Sequence, residues 1–170
     1  SGTKGDEVAE QITQGTLDTL AKYPQYKVVA HQWHTNWDRA LAMNTMENAL
    51  AKFNNDIQVV FNNNDAMGLG AYKAAENNKV ADKILFYLAD FDQDTAEIML
   101  SGATNIKTVD KSAGIQGERC VIAAMKLAKG EKPDYDAMDG NIPVWYTPIT
   151  MVDQNNLKDM CKIKFPDLVK

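Results

Sequence analysis

Residues 57–69, Ile57-Gln58-Val59-Val60-Phe61-Asn62-Asn63-Asn64-Asp65-Ala66-Met67-Gly68-Leu69, constrain the fold more than any other stretch. An apolar run of strand length stops at three asparagines and an aspartate, and an Ala/Met/Leu pattern of helical period follows. Hydrogen-bonding side chains are thereby placed at the carboxyl end of a buried strand. In open α/β sheets that edge is where ligands bind.

The rest of the chain repeats this arrangement. An amphipathic helix is predicted over 6–20, with Val8, Ile12, Leu17 and Leu20 on one stripe, and Tyr23-Pro24-Gln25 stops it. A short strand is expected at 27–31, then a helix over 37–51 capped by Thr35 or Asn36, with Ala40, Met43, Met46 and Leu50 on one face. A further helix follows at 66–76. The apolar run 83–89 suits a strand covered on both faces and ends at Asp90. A helix at 95–101 closes on Gly102, a strand at 106–109 ends at Asp110, and a helix at 115–128 closes on Gly130. Two prolines restrict 142–152 to an edge or a crossing segment, and 155–162 forms a last helical turn or two. Alternating helices and strands imply a parallel sheet with right-handed crossovers and helices on both faces.

Composition removes several functions. The chain has 170 residues, 45% of them hydrophobic and 24% charged, which suits one globular domain. A net charge of -5 without a Lys/Arg cluster argues against nucleic acid as a partner, because affinity for a phosphate backbone needs concentrated positive charge. No run approaches the roughly 18 apolar residues of a membrane span, and no signal pattern opens the chain, so the expectation is a soluble chain, mature or intracellular. Cys120 and Cys161 have neither Cys-x-x-Cys spacing nor a neighbouring histidine, which excludes a zinc motif; both read as small apolar residues on helices. A disulfide between them stays open for an exported chain.

Parallel strands would turn Trp37, Asn64, Asp90 and Asp110 toward one crevice. Amides and carboxylates donate and accept hydrogen bonds, and an indole face packs on the C–H surface of a sugar ring, so the set suits a neutral polyhydroxylated ligand. The same residues also read as loop formers, helix caps or, for Trp37, a core residue at a helix start. His31 and His34 flank Trp33 without a Ser or Cys nucleophile motif, and Gly2-x-x-Gly5 is a poor phosphate cradle, so catalysis is not expected.

Residues 59–71 resemble the "vvf.nND.mAlGa" segment of bacterial periplasmic sugar-binding proteins of the ribose and glucose/galactose type. Trp37-Asp38-Arg39 is similar to their aromatic-Asp-Arg segment. Asp90 and Gly102 resemble the family's "GfD" strand end and helix-closing glycine, with Leu88-Ala89 in place of Gly-Phe. Thr108-Val109-Asp110 resembles the crossing strand, and 117–130 the helix after it.

This resemblance implies a flavodoxin-like, periplasmic-binding-protein-like lobe, with residues 1–170 as the second, C-terminal lobe of a two-lobe protein. Residues 111–141 would form the inter-lobe crossing and a helix packed on the other lobe. The sheet would lack its first central strand, the gap being filled by another polypeptide, by the first lobe or by a second copy of the chain. By the same resemblance Trp37 stacks on the sugar, Asn64 and Asp90 bind its hydroxyls, Asp110 stands at a hinge position, and Asp6 lies near a loop that contacts sugar in hexose binders. The family's clamping arginine would fall near Glu10 or Ile12, and neither position is arginine. A calcium site is not supported, since Gln58 alone stands near a ligand position, and no metal or cofactor is expected. The implied function is binding of a monosaccharide, such as glucose, galactose or ribose, for an ATP-driven importer's membrane permease. Chemotaxis receptors are further implied partners, and the implied location is the periplasm. The alternative is the effector-binding core of a lactose-repressor-type transcription regulator.

Overall fold

The computed structural model describes residues Ser1–Lys170. In chain order its helices are α1 (Glu7–Leu20), α2 (Arg39–Lys52), α3 (Asp65–Asn77), α4 (Gln93–Leu100), α5 (Ala113–Ala128) and α6 (Leu157–Lys164). The strands are β1 (Val59–Phe61), β2 (Leu85–Tyr87), β3 (Ile106–Asp110), β4 (Ala137–Asp139), β5 (Ile142–Val144) and β6 (Thr150–Val152). No helix is long and apolar enough to cross a membrane.

The main sheet has the order β1-β2-β3-β6. β1, β2 and β3 are parallel, with Val60 opposite Phe86 and Phe86 opposite Ile106, as the alternation of helices and strands requires. β6 differs: it lies antiparallel on β3, pairing Val109 with Met151, after the chain has passed through α5 and the β4–β5 hairpin. The two prolines of 142–152 fit this route. Pro143 sits in the two-stranded hairpin and Pro148 precedes β6, so neither interrupts the main sheet.

Side chains alternate across a strand, so Val60, Phe86, Ile106, Thr108 and Val152 look to one face. There Phe86, Ile106 and Val152 join Met46 and Leu50 of α2, Leu69 and Ala71 of α3, Met99 of α4, and Leu157 and Cys161 of α6 in one buried cluster, with the partly buried Val60 packed against it. Burying each such Leu, Phe or Met side chain contributes about 1.5–3 kcal/mol. α3 runs closest to α2: a Cβ on Gly70 would lie 2.2 Å from the Arg39 carbonyl oxygen, so only glycine allows this approach. The opposite sheet face leaves Phe61, Leu85 and Met151 exposed, with Phe61 stacked on Tyr87 at 5.2 Å.

Several expectations are corrected. Residues 27–31 form no strand, and Val28 and Val29 are exposed. β-rich composition alone does not make a strand: 27–31 pairs with nothing, and the outer edge of β1, likewise unpaired, is not brought against it. α1 buries Ala9 and Thr13 and leaves Val8 exposed, so its inner face is turned one residue from the Val8/Ile12 stripe. α2 begins two residues later than predicted, because Asn36 and Trp37 adopt positive φ (58° and 56°); Asp38 caps the helix by accepting from the Leu41 N–H at 2.8 Å. Cys120 is exposed and Cys161 buried, and both are free thiols. α5 buries none of its residues, leaving Val121, Met125 and Leu127 exposed.

Candidate functional site

The carboxyl ends of β1, β2 and β3 carry a continuous polar network that begins in the opening stretch. Asn63 is buried, and its amide donates to the Ala9 carbonyl at 2.9 Å and to Thr13 Oγ1 at 2.8 Å, fastening α1 to the end of β1. Asn64 caps α3, its Oδ1 accepting from the Met67 N–H at 2.9 Å. This is the helix-cap role that its place after a strand also allows. The capping bond occupies the Asn64 oxygen and leaves its amide N–H groups available to a ligand.

Asp65, fully buried, faces inward instead. Its carboxylate accepts from the Asp92 N–H at 2.8 Å and from the Thr108 hydroxyl at 2.7 Å. Burial, reinforced by the nearby Asp92 charge, raises its pKa to about 6 despite these two bonds. Thr108 Oγ1 also accepts from the Phe91 N–H at 3.2 Å, so Asp65 and Thr108 together hold the loop after β2. That loop bears Asp90, whose φ is 152°, followed by Phe91 at 53°, conformations a non-glycine residue keeps only under restraint from its surroundings.

Asp90 and Asp110 are brought together, each with a lysine. Lys111 Nζ lies 2.5 Å from Asp90 Oδ1, and Lys164 Nζ lies 2.7 Å from Asp110 Oδ1. Lys164 also donates to the Asp90 carbonyl at 3.1 Å, and the Ser112 N–H donates to Asp110 Oδ1 at 3.0 Å. Two carboxylates and two ammonium groups make this cluster at the strand ends formally neutral.

Trp37 and Asp6 belong to a second cluster. The loop before α1 is zipped to residues 34–37 by the His34 N–H donating to the Ser1 carbonyl at 3.1 Å and the Asn36 N–H donating to Thr3 Oγ1 at 2.9 Å. The half-buried Trp37 ring lies against Gly2, where an added Cβ would stand 2.7 Å from it. Asp6 caps α1, accepting from the Ala9 N–H at 3.0 Å. His34 is buried against Thr45 Oγ1 at 2.9 Å, and burial lowers its pKa, which suits a packed loop residue better than a catalytic one. No hydrogen bond joins Trp37 or Asp6 directly to Asp90 or Asp110. The stretch Asn63–Asp65 connects the two clusters, through Asn63 to α1 and through Asp65 to the Asp90 loop.

Lys111, Lys164, Asn63 and the inward role of Asp65 were absent from the sequence reading. Lys111 follows Asp110 directly and was visible there as an adjacent charge. Lys164 meets Asp110 across 54 residues and Asp90 across 74, separations that no local pattern reports.

A family profile described as "Periplasmic binding protein domain" matches residues 1–132 of this chain. The chain belongs to this family. The D-xylose-binding periplasmic protein of Escherichia coli K12 is 31% identical over 93% of this chain and 50% of its own length. The ribose import binding protein of Haemophilus influenzae is 31% identical over 84% of this chain and 45% of its own. A carbohydrate transporter solute-binding protein of Agrobacterium radiobacter, solved in complex with D-arabinose, superposes with a TM-score of 0.80 at 28% identity, covering all of this chain and 53% of that one. This periplasmic binding protein chain therefore spans about half the length of the curated relatives it matches.

Proposed function

We propose that this chain is one lobe of a periplasmic solute-binding protein, and that it holds a neutral monosaccharide, pentose or hexose, for an ATP-driven importer without chemistry on the ligand. The observation that carries the reading is the convergence of Asp90, Asp110, Lys111 and Lys164 in a formally neutral set at the strand ends that also present the Asn64 amide. Hydroxyl groups both donate and accept, so a polyol can add to such pairs without displacing either ion. A charged ligand would have to break one, at the cost of leaving its partner uncompensated. Asn64, Asp90 and Asp110 then bind hydroxyls, Lys111 adds a donor, and the Trp37 ring covers the apolar side of the sugar, with Asp6 at the margin. The pentoses named for the relatives above support a monosaccharide of this size. Those relatives are transport proteins, so the repressor reading is not retained.

The rest of the assembly follows from what the chain leaves bare. The unpaired outer edge of β1 and the exposed apolar face of α5 are surfaces for the other lobe, or for a second copy of the chain, with 111–141 as the crossing between lobes. Closure of the two lobes would trap the sugar. The closed form would then engage a membrane permease, with a chemotaxis receptor as a further partner, in the periplasm. Light scattering tests the missing surfaces: self-association, or assembly with the other lobe, is expected, and a stable, well-folded monomer in dilute solution argues against it. Calorimetry of this chain, and of any longer natural form containing it, against D-xylose, D-ribose, D-glucose and D-galactose tests the ligand. Binding of a nucleoside or oligosaccharide with no monosaccharide binding would refute the assignment.

A further inference from the structure

We infer that Lys164, in the last turn of α6, is a positioning residue that sets Asp90 and Asp110 in the geometry that meets a ligand. The inference rests on the sugar-binding reading above and deepens it.

One ammonium group reaches both residues, donating to Asp110 Oδ1 at 2.7 Å and to the Asp90 carbonyl at 3.1 Å. It lies 5.3 Å from the Phe91 ring centroid and 5.8 Å from that of Phe165, so aromatic faces flank it where water would otherwise compete. Asp90 needs such a restraint, because its φ of 152° is unfavourable for a residue with a Cβ. Its N–H is held by the Val109 carbonyl at 2.9 Å, and Phe91 and Asp92 are held through Thr108 and Asp65. None of those bonds reaches Asp110. Lys164 is the group that bonds to both Asp90 and Asp110, and it does so from α6. Its two bonds fix the direction in which the Asp90 carboxylate leaves the backbone and which Asp110 oxygen remains open. Lys164 bonds to the Asp110 carboxylate and the Asp90 backbone, which gives it a role through these two neighbours, whereas Lys111 bonds to the Asp90 carboxylate.

The test combines a sugar-free and a sugar-bound measurement. Lys164→Met keeps the aliphatic stem and removes the ammonium group; Lys164→Arg keeps the charge; Lys164→Gln replaces the methionine variant should that not fold. In the free protein, the amide resonances of Asp90, Phe91, Asp92 and Asp110 are expected to move together in Lys164→Met and to return toward their original positions in Lys164→Arg. Resonances that stay in place overturn the inference. In NMR titrations with D-xylose, D-ribose and D-glucose, the affinity for whichever sugar binds is expected to fall about tenfold in Lys164→Met and to recover in Lys164→Arg. In an Asp110→Asn background, Lys164→Met should cost markedly less, since coupled residues are non-additive. A folded Lys164→Met protein with unchanged affinity, or strictly additive losses, overturns the positioning role while leaving sugar binding intact. If the wild type binds none of the sugars, the binding reading fails, and the free-protein resonances still decide whether Lys164 sets the loop.

Discussion

At the scale of single residues, Asp65 is the most exacting choice in the chain. Its carboxylate, fully buried, is stabilised by two hydrogen bonds, yet its pKa is raised from 3.8 to about 6. The folded state therefore binds more protons than the unfolded chain between those values. The contribution of Asp65 to stability is fully present below pH 3.8 and is lost as pH rises through about 6. His34, whose pKa is lowered, works in the opposite direction, and comparison with Asp65→Asn cancels it. In urea unfolding, wild-type stability relative to Asp65→Asn is expected to fall by on the order of 2 kcal/mol between about pH 4 and pH 6.5. An unchanged difference would show that Asp65 does not titrate there. Asn64 shows how far a sequence can be read at this scale. Its position at a strand end was legible, but cap and ligand contact are compatible roles for one amide, and only the direction of Oδ1 toward the Met67 N–H separates them. Lys164 carried no signal at all, because its partners are brought to it by the packing of α6.

At the scale of elements, local pattern succeeded where the signals are themselves local. α3, α4, β3 and α5 lie within a few residues of their predicted spans because caps, helix-closing glycines and apolar runs are local features. The strand expected at 27–31 pairs with no strand of the main sheet, so its valines remain exposed. The contact between α2 and α3 yields a direct prediction. Gly70→Ala would drive a methyl group toward the Arg39 carbonyl oxygen, 2.2 Å from the ideal Cβ position, and should cost roughly 1–3 kcal/mol in urea unfolding. A neutral result would mean that α2 can shift without loss. For α5 the opposite is expected. Met125→Glu and Leu127→Glu alter exposed side chains on a helix with no buried residue, and each should change the stability of this chain by no more than about 0.5 kcal/mol. The same substitutions should weaken association with a second lobe or a second copy, read by light scattering, if α5 is the surface proposed above.

At the scale of the whole molecule, the β-strand ends are arranged as a presenting edge. The sheet buries one face under α2, α3, α4 and α6, and its carboxyl end gathers Asp90, Asp110, Lys111 and Lys164 into a neutral set. Asp65 holds the loop that carries Asp90, and the neighbouring Asn63 holds α1, which Asp6 caps. The stretch that first marked the fold thus connects the two clusters, with Asn64 capping α3 between them. The most direct measurement is a two-dimensional NMR titration of the isotope-labelled chain with millimolar pentoses and hexoses. Shifts are expected at the Trp37 indole N–H, the Asn64 side-chain amide and the backbone amides of Asp90, Asp110 and Lys111, with α5 unaffected. Absence of shifts at these positions with every sugar, or shifts confined to α5 and the β4–β5 hairpin, would contradict this expectation.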